Sequence, residues 1–146
     1  MIRLDGAEAT EAFGRRLAGQ LRAGDVVALF GGLGAGKTTL ARGILAGLGH
    51  GGEVASPTFP IVIPYEGLAV PLWHVDLYRI EDPAELGELA LDEALEDGAL
   101  IVEWPERMGS ALWPHSLRLS LRRDGEGARA LTAEVPAAWE GRWPLR

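Results

Sequence analysis

Apolar positions along this chain follow three rhythms, and their order predicts a set of elements. The stretch Asp25-Val26-Val27-Ala28-Leu29-Phe30, apolar after its first residue, and the apolar run 99–102, Ala-Leu-Ile-Val, predict buried strands of a sheet. Helical spacing appears after Asp5-Gly6-Ala7-Glu8, a capping-box pattern, where Phe13, Leu17 and Leu21 recur; Leu4 closes a short strand before it. The same spacing returns over 39–48, with Leu40, Ile44, Leu45 and Leu48 on one face and Gly49 as the stop. Strict alternation marks Leu117, Leu119 and Leu121, then Leu131, Ala133 and Val135, with Asp124-Gly125 turning the chain between them. A second hairpin is predicted from residues 59–63 and 70–76 around Glu66-Gly67. Asp82, Pro83 and Glu85 predict a helix start and an acidic helical region that runs to Gly98. The expected result is an α/β fold, a mixed sheet with flanking helices and antiparallel hairpin additions.

Length and composition narrow this picture. The 146 residues are expected to form one domain, 1–146, large enough to bury roughly two thirds of its unfolded surface without metal or disulfide support. The absence of cysteine excludes disulfides and thiolate metal sites. No apolar run approaches the roughly 20 residues that cross a bilayer, and the first residues lack a signal-peptide core, so a cytoplasmic protein with no membrane association is expected. The net charge of −7 is unevenly distributed: residues 1–106 carry 17 acids against 7 bases, whereas residues 107–146 carry 4 acids against 7 bases. Residues 81–106 hold ten acids and no base, which argues against a tight direct grip on nucleic acid. That segment reads equally as a solvated face or as a docking surface for a partner.

Candidate chemistry begins at the only lysine. All other basic side chains are arginines, yet Lys37 stands within Gly31-Gly32-Leu33-Gly34-Ala35-Gly36-Lys37-Thr38, a phosphate-loop pattern placed between a predicted strand and a predicted helix. Glycines let several N–H groups converge on one anion, and a compact ammonium lies along wrapped phosphates where a guanidinium fork is too wide. The Thr38 hydroxyl would ligate Mg²⁺, and the helix start, through Thr39, would turn its positive end to the phosphates. The expected fold is thereby P-loop NTPase-like, and a nucleoside triphosphate is the expected ligand.

Such a loop needs a carboxylate near the metal or the attacking water. Two strand ends compete. Leu72-Trp73-His74-Val75-Asp76 ends in aspartate, although its hairpin context and a salt bridge to Arg79 or a helix cap offer Asp76 a structural role. Leu100-Ile101-Val102-Glu103 ends in glutamate, whose desolvation beside four apolar residues calls for Mg²⁺ or Lys37. Trp104 reads equally as a core-edge aromatic or as a cover for the nucleotide.

Taken with Ser56-Pro57-Thr58-Phe59, His74-Val75-Asp76-Leu77-Tyr78-Arg79 and Glu103-Trp104-Pro105, the phosphate loop gives four ordered motifs by which the chain resembles the TsaE (YjeE) family. The resemblance runs from the first helix to the last hairpin. It implies a Mg²⁺-dependent ATPase that supports threonylcarbamoylation of adenosine 37 in tRNA, with TsaB and TsaD proteins as partners and tRNA engaged only through their complex. By motif, it implies that Lys37 holds the β and γ phosphates, that Thr38 and Glu103 form the metal side, and that Asp76 is an essential acid near the γ phosphate. Gly31, Gly32, Leu33, Gly34, Ala35, Gly36, Thr39, Thr58 and Trp104 complete the implied nucleotide site, with Thr58 in a switch-like segment. Residues 7–10 and Ala128-Arg129 are the implied candidates for the adenine pocket. Two positions depart from the family pattern: Gly32 stands where aspartate is common, and Pro60 where a small polar residue is common.

Two other readings stay open. A small-molecule kinase of the shikimate-kinase type would need an arginine lid, for which Arg118, Arg122, Arg123 and Arg129 are the candidates, although they fall in a predicted hairpin. A nucleotide-dependent assembly module would bind ATP without turning it over. A homodimer joining the arginine-rich end to the acidic middle also remains open.

Overall fold

A computed structural model of the chain describes every residue except Leu33, Glu53, residues 55–61 and residues 144–146. Strands Ile2–Asp5 (β1), Val26–Phe30 (β2), Val62–Tyr65 (β3), Leu72–Asp76 (β4), Ala99–Glu103 (β5), Leu117–Arg123 (β6) and Ala128–Glu134 (β7) form one mixed sheet in the order β1-β7-β6-β2-β5-β4-β3. The inner strands β6, β2, β5 and β4 are parallel neighbours, and the antiparallel pairs β3/β4, β6/β7 and β1/β7 extend the sheet on both sides. Both predicted hairpins are present. The hairpin arm β4 also pairs in parallel with β5, so its hairpin membership does not keep Asp76 from the sheet interior.

The strands β2 and β5 are buried on both faces because each face carries its own apolar layer. Helices Gly6–Ala18 (α1) and Lys37–Gly47 (α2) cover one face, where Phe13, Leu17, Leu40, Ile44 and Leu45 pack with Val27, Leu29 and Ile101. The other face presents Val26, Ala28, Leu100 and Val102 to Ile80, Leu91, Ala94 and Met108. Alternate residues of one strand thus serve opposite cores, as the pleat requires. At the foot of β2 a buried bidentate ion pair, Arg142 Nη1 to Asp25 Oδ2 at 2.6 Å and Nη2 to Oδ1 at 3.1 Å, ties the C-terminal region to the sheet.

Three local expectations need correction. Asp5 makes no side-chain cap, because it is still paired in β1 with Ala128 and its carboxylate accepts from Arg3 Nε at 2.8 Å. α1 ends at Ala18, and Leu21 reaches the core from the following turn. The acidic segment is not one helix: a 3₁₀ helix, Pro83–Leu89, and a short helix, Leu91–Asp97 (α3), meet at Ala90, whose left-handed φ of 53° breaks the axis. Asp82 does cap the first piece through Ala84 N–H at 3.0 Å, while Glu85 accepts from Glu81 N–H, one residue short of the expected box. The predicted strand 59–63 falls largely outside the described residues; β3 begins at Val62. Among the described residues no helix is long and apolar enough to cross a membrane.

The two long helices touch backbone to backbone. A Cβ on Gly14 would lie 2.6 Å from Leu40 O, one on Gly47 would lie 2.6 Å from Ala18 Cβ, and one on Gly43 would collide with the backbone of Glu11. This close contact anchors α2, and with it the start of the phosphate loop helix. Gly43→Ala is therefore expected to force the helices apart and cost about 2–3 kcal/mol or more, since the obstacle is backbone rather than a movable side chain. Urea unfolding measures it, and an unchanged midpoint would contradict the close contact.

Candidate functional site

The loop between β2 and α2 gathers the sequence-predicted residues at the carboxyl ends of the parallel strands, the usual position for ligands in open α/β sheets. Gly36 adopts φ 104° and delivers the chain into α2, whose first residue is Lys37 rather than the predicted Thr39. Gly31, at φ 149°, passes so close to β6 that a Cβ would lie 2.7 Å from Leu121 O. Gly32 has no such demand: its φ is unexceptional and a Cβ there meets nothing within 4 Å, so an aspartate would fit without strain. The sequence-predicted Leu33 and Thr58, and Pro60, lie outside the described residues.

A cavity of about 540 Å³ is lined by Gly34, Ala35, Gly36, Lys37, Thr38, Thr39, by Asp76 and Glu103, and by Trp104. Register explains the carboxylates. Asp76 of β4 pairs with Glu103 of β5, and Glu103 pairs with Leu29 of β2, so both acids end their strands level with the strand that feeds the loop. They share the sheet face that carries α2. Both are buried, Glu103 to 3% exposure and Asp76 to 8%.

The hydrogen-bond partner of Glu103 is not Lys37. His74, fully buried on β4, donates from Nε2 to Glu103 Oε2 at 2.6 Å. One carboxylate oxygen is thereby fixed and the other is left for the cavity. The sequence reading missed His74; the signal was a lone histidine two positions before Asp76, hence on the same strand face. Asp76 forms neither the salt bridge to Arg79 nor the helix cap considered from sequence, and instead its Oδ1 accepts from Tyr78 N–H at 2.9 Å.

Lys37 is 6% exposed and its Nζ has no hydrogen-bond partner among the described residues. The ammonium lies 4.1 Å from the centre of the Trp104 ring, a cation–π contact that a phosphate oxygen would outcompete. Trp104 is half-buried, holds an uncommon left-handed backbone (φ 57°), and leans on Tyr78 with ring centres 4.9 Å apart. Burial pulls the Lys37 pKa below its ordinary 10.5, opposed by Glu103, Asp76 and Glu106. Burial likewise raises the Asp76 pKa above 3.8, opposed by the Tyr78 N–H and reinforced by neighbouring Glu103. The site thus lacks a ligand's worth of hydrogen bonds for a buried cation, and its oxygen donors, two carboxylates and the Thr38 hydroxyl, are of the kind Mg²⁺ accepts when phosphates and water complete its shell.

The β6/β7 hairpin closes the opposite side. Arg123 and Arg129 face each other across the β6/β7 hairpin, and both donate to Gly34 O, from Nε at 3.4 Å and Nη2 at 3.1 Å respectively. Of the four arginines considered for a kinase lid, only these two line the cavity, and all four lie in strands. Ala7 and Thr10, candidates for an adenine pocket, meet Gly36, Thr39, Gly127 and Arg129 around a small cleft of about 50 Å³.

Comparison with known proteins gives the family and the fold. Residues 4–131 match the family model described as threonylcarbamoyl adenosine biosynthesis protein TsaE. The TsaE protein of Streptomyces coelicolor is 51% identical over 113 residues, spanning 75% of this chain and 76% of the relative. That of Bacillus subtilis is 40% identical over 126 residues, spanning 86% and 78%. The crystal structure of Bacillus subtilis YdiB superposes with a TM-score of 0.81 at 32% identity, covering 96% of this chain and 88% of that one.

Two stability measurements probe the buried charges. His74→Ala leaves the Glu103 carboxylate buried without its donor and is expected to cost on the order of 2–4 kcal/mol in denaturant unfolding. For Asp76 the sign is opposite to that of a paired carboxylate: a folded pKa above 3.8 means the folded state binds the proton more tightly, so stability falls as pH rises through that window. In metal-free and nucleotide-free buffer, Asp76→Asn is expected to be more stable than wild type at neutral pH. The advantage should shrink as pH drops and vanish below 3.8, where Asp76 is protonated in both states. An advantage that grows on acidification would contradict the burial argument.

Proposed function

This chain belongs to the TsaE family, and we propose that it is a Mg²⁺-dependent ATPase that supports threonylcarbamoylation of adenosine 37 in tRNA by acting on a TsaB–TsaD complex. The observation that carries the enzymatic part is that one cavity joins a buried ammonium, without a hydrogen-bond partner among the described residues, to two register-matched carboxylates beside a phosphate loop. A loop that only held a nucleotide would need the lysine and the glycines, not the two desolvated acids.

In this reading the backbone N–H groups of Gly34, Gly36, Lys37 and Thr38 cradle the phosphates, and Lys37 turns from Trp104 to the β and γ oxygens. The Thr38 hydroxyl and the free oxygen of Glu103 hold Mg²⁺, with His74 orienting the glutamate as a supporting partner. When bound, the metal supplies neutralisation of charge on the β and γ oxygens. Asp76 orients the attacking water and accepts its proton as the γ-phosphoryl group passes to the water oxygen and ADP leaves. Burial, which raises the affinity of Asp76 for a proton, suits it to that task. Arg123 and Arg129 both donate to Gly34 O and hold the outer side of the loop, while the Ala35 N–H is engaged by Gly32 O at 3.2 Å. Trp104 covers the site. Chemistry on tRNA itself belongs to the partners, in keeping with a chain of net charge −7.

ATP turnover measured alone and with purified TsaB and TsaD tests the proposal. Wild type is expected to hydrolyse ATP faster in the presence of the partners, and Glu103→Ala to lose turnover by on the order of 10²-fold or more while still binding nucleotide. Lys37→Arg keeps the charge and changes its shape; lost turnover with an unaltered unfolding midpoint is expected. Phosphorylation of a metabolite instead of water, or turnover indifferent to both partners and Glu103, would refute the proposal.

A further inference from the structure

Arg79 and Arg107 bound the run of ten acids in the sequence, and the fold brings them together. They line one cavity of about 540 Å³ with Tyr78, Ile80 and Glu81, directly beside the phosphate cavity, with which it shares Tyr78 and Arg79. Tyr78 is 48% exposed; the other large exposed apolar side chains among the described residues, Met1 and Val135, lie by β1 and β7 at the far side of the sheet. The Arg107 guanidinium stands 5.9 Å from the Tyr78 ring centre. Neither the Arg79 nor the Arg107 guanidinium forms a hydrogen bond or ion pair among the described residues, although Glu81 lines the same cavity.

We infer that Tyr78, Arg79 and Arg107 form a protein-docking surface at the mouth of the nucleotide cavity, and that its occupant is a partner segment presenting a carboxylate beside an apolar side chain. The inference rests on the proposed partnership with TsaB–TsaD and assigns the surface through which it acts. Tyrosine and arginine are the residue types that dominate interface energetics, the first as a rigid anchor and the second as a bidentate donor to carboxylate. Charge selects the occupant. Two guanidinium groups at the ends of a segment that holds ten acids and no other base make a small positive island, which suits one local carboxylate and repels an extended polyanion such as RNA.

A chain of contacts joins the surface to the nucleotide site. Tyr78 N–H is bonded to Asp76, and the Tyr78 ring leans on Trp104, whose face holds the Lys37 ammonium. Withdrawal of Lys37 toward a phosphate would remove the cation from the tryptophan that supports Tyr78. Partner binding and nucleotide binding are then linked, and any effect of one on the affinity of the other must be reciprocal.

Calorimetric titration of the purified TsaB–TsaD complex into this protein tests the inference. Arg79→Glu and Arg107→Glu are each expected to weaken binding roughly tenfold or more, whereas Arg107→Glu should leave ATP affinity within about twofold. Reversing a partner carboxylate to lysine should restore binding to one of these variants. Both substitutions are at exposed positions, and thermal unfolding verifies that the variants are folded. Wild-type affinity in the Arg79→Glu/Arg107→Glu double variant would overturn the inference while leaving the proposed partnership intact. Absence of binding by the wild type would overturn both. If tRNA alone binds the wild type and the double variant loses it, the surface is a nucleic-acid site and the protein occupant is refuted.

Discussion

The parallel register of β2, β5 and β4 is the constraint on which the site depends. Leu29, Glu103 and Asp76 lie side by side across three strands, so the loop leaving β2 emerges at the level where two carboxylates already stand. Sheet hydrogen bonds fix neighbouring strands about 4.8 Å apart, and neither acid can retreat from the other or from the cavity without breaking that ladder. Burying two adjacent carboxylates is unfavourable, and the structure compensates each differently: His74 donates to Glu103, the Tyr78 N–H donates to Asp76, and Lys37 supplies a nearby positive charge. The compensation is incomplete for Lys37, whose ammonium rests on the face of Trp104 and has no hydrogen-bond partner among the described residues. That imbalance is what a phosphate ligand would relieve.

Strain is concentrated at the same end of the sheet. Trp104 follows Glu103 directly and occupies a left-handed conformation, which for a bulky residue costs on the order of 1–2 kcal/mol. The turn is forced because β5 must stop at Glu103 and send the chain back through Pro105, while the indole covers Lys37 and supports Tyr78. The rigid support for this arrangement lies elsewhere, in the glycine-mediated contact of α1 with α2 and in the two apolar layers. A strained rim on a closely packed base holds side chains in position before a ligand arrives.

The two halves of the sheet contribute opposite charges to the cavity. β4 and β5 bring carboxylates, whereas the hairpin of β6 and β7 brings Arg123 and Arg129 against the outside of the loop. The division along the chain into an acidic body and a basic end thus becomes a division across one site. The acid-rich segment breaks into short helical pieces at Ala90 on the opposite sheet face, and the arginines at its two ends converge beside Tyr78.

The strands, their order of appearance, both hairpins and the phosphate loop were legible from sequence because they rest on local rules: apolar runs, period-two alternation, glycine spacing and turn residues. Asp76 and Glu103 were legible as acids at strand ends. What the sequence could not express was register and approach. That β4 is at once a hairpin arm and a parallel neighbour of β5, that His74 rather than Lys37 meets Glu103, and that Arg123 and Arg129 reach Gly34 all depend on which strands lie side by side. The capping box at Asp5 and the continuous acidic helix failed for the same reason: pairing of β1 with β7 and packing around Ala90 overrode the local signals. By itself the sequence determined which side chains could take part in phosphate chemistry, since that is a matter of residue type and spacing. Only the tertiary structure decided which of them meet, because a buried charge takes its partner from across the sheet.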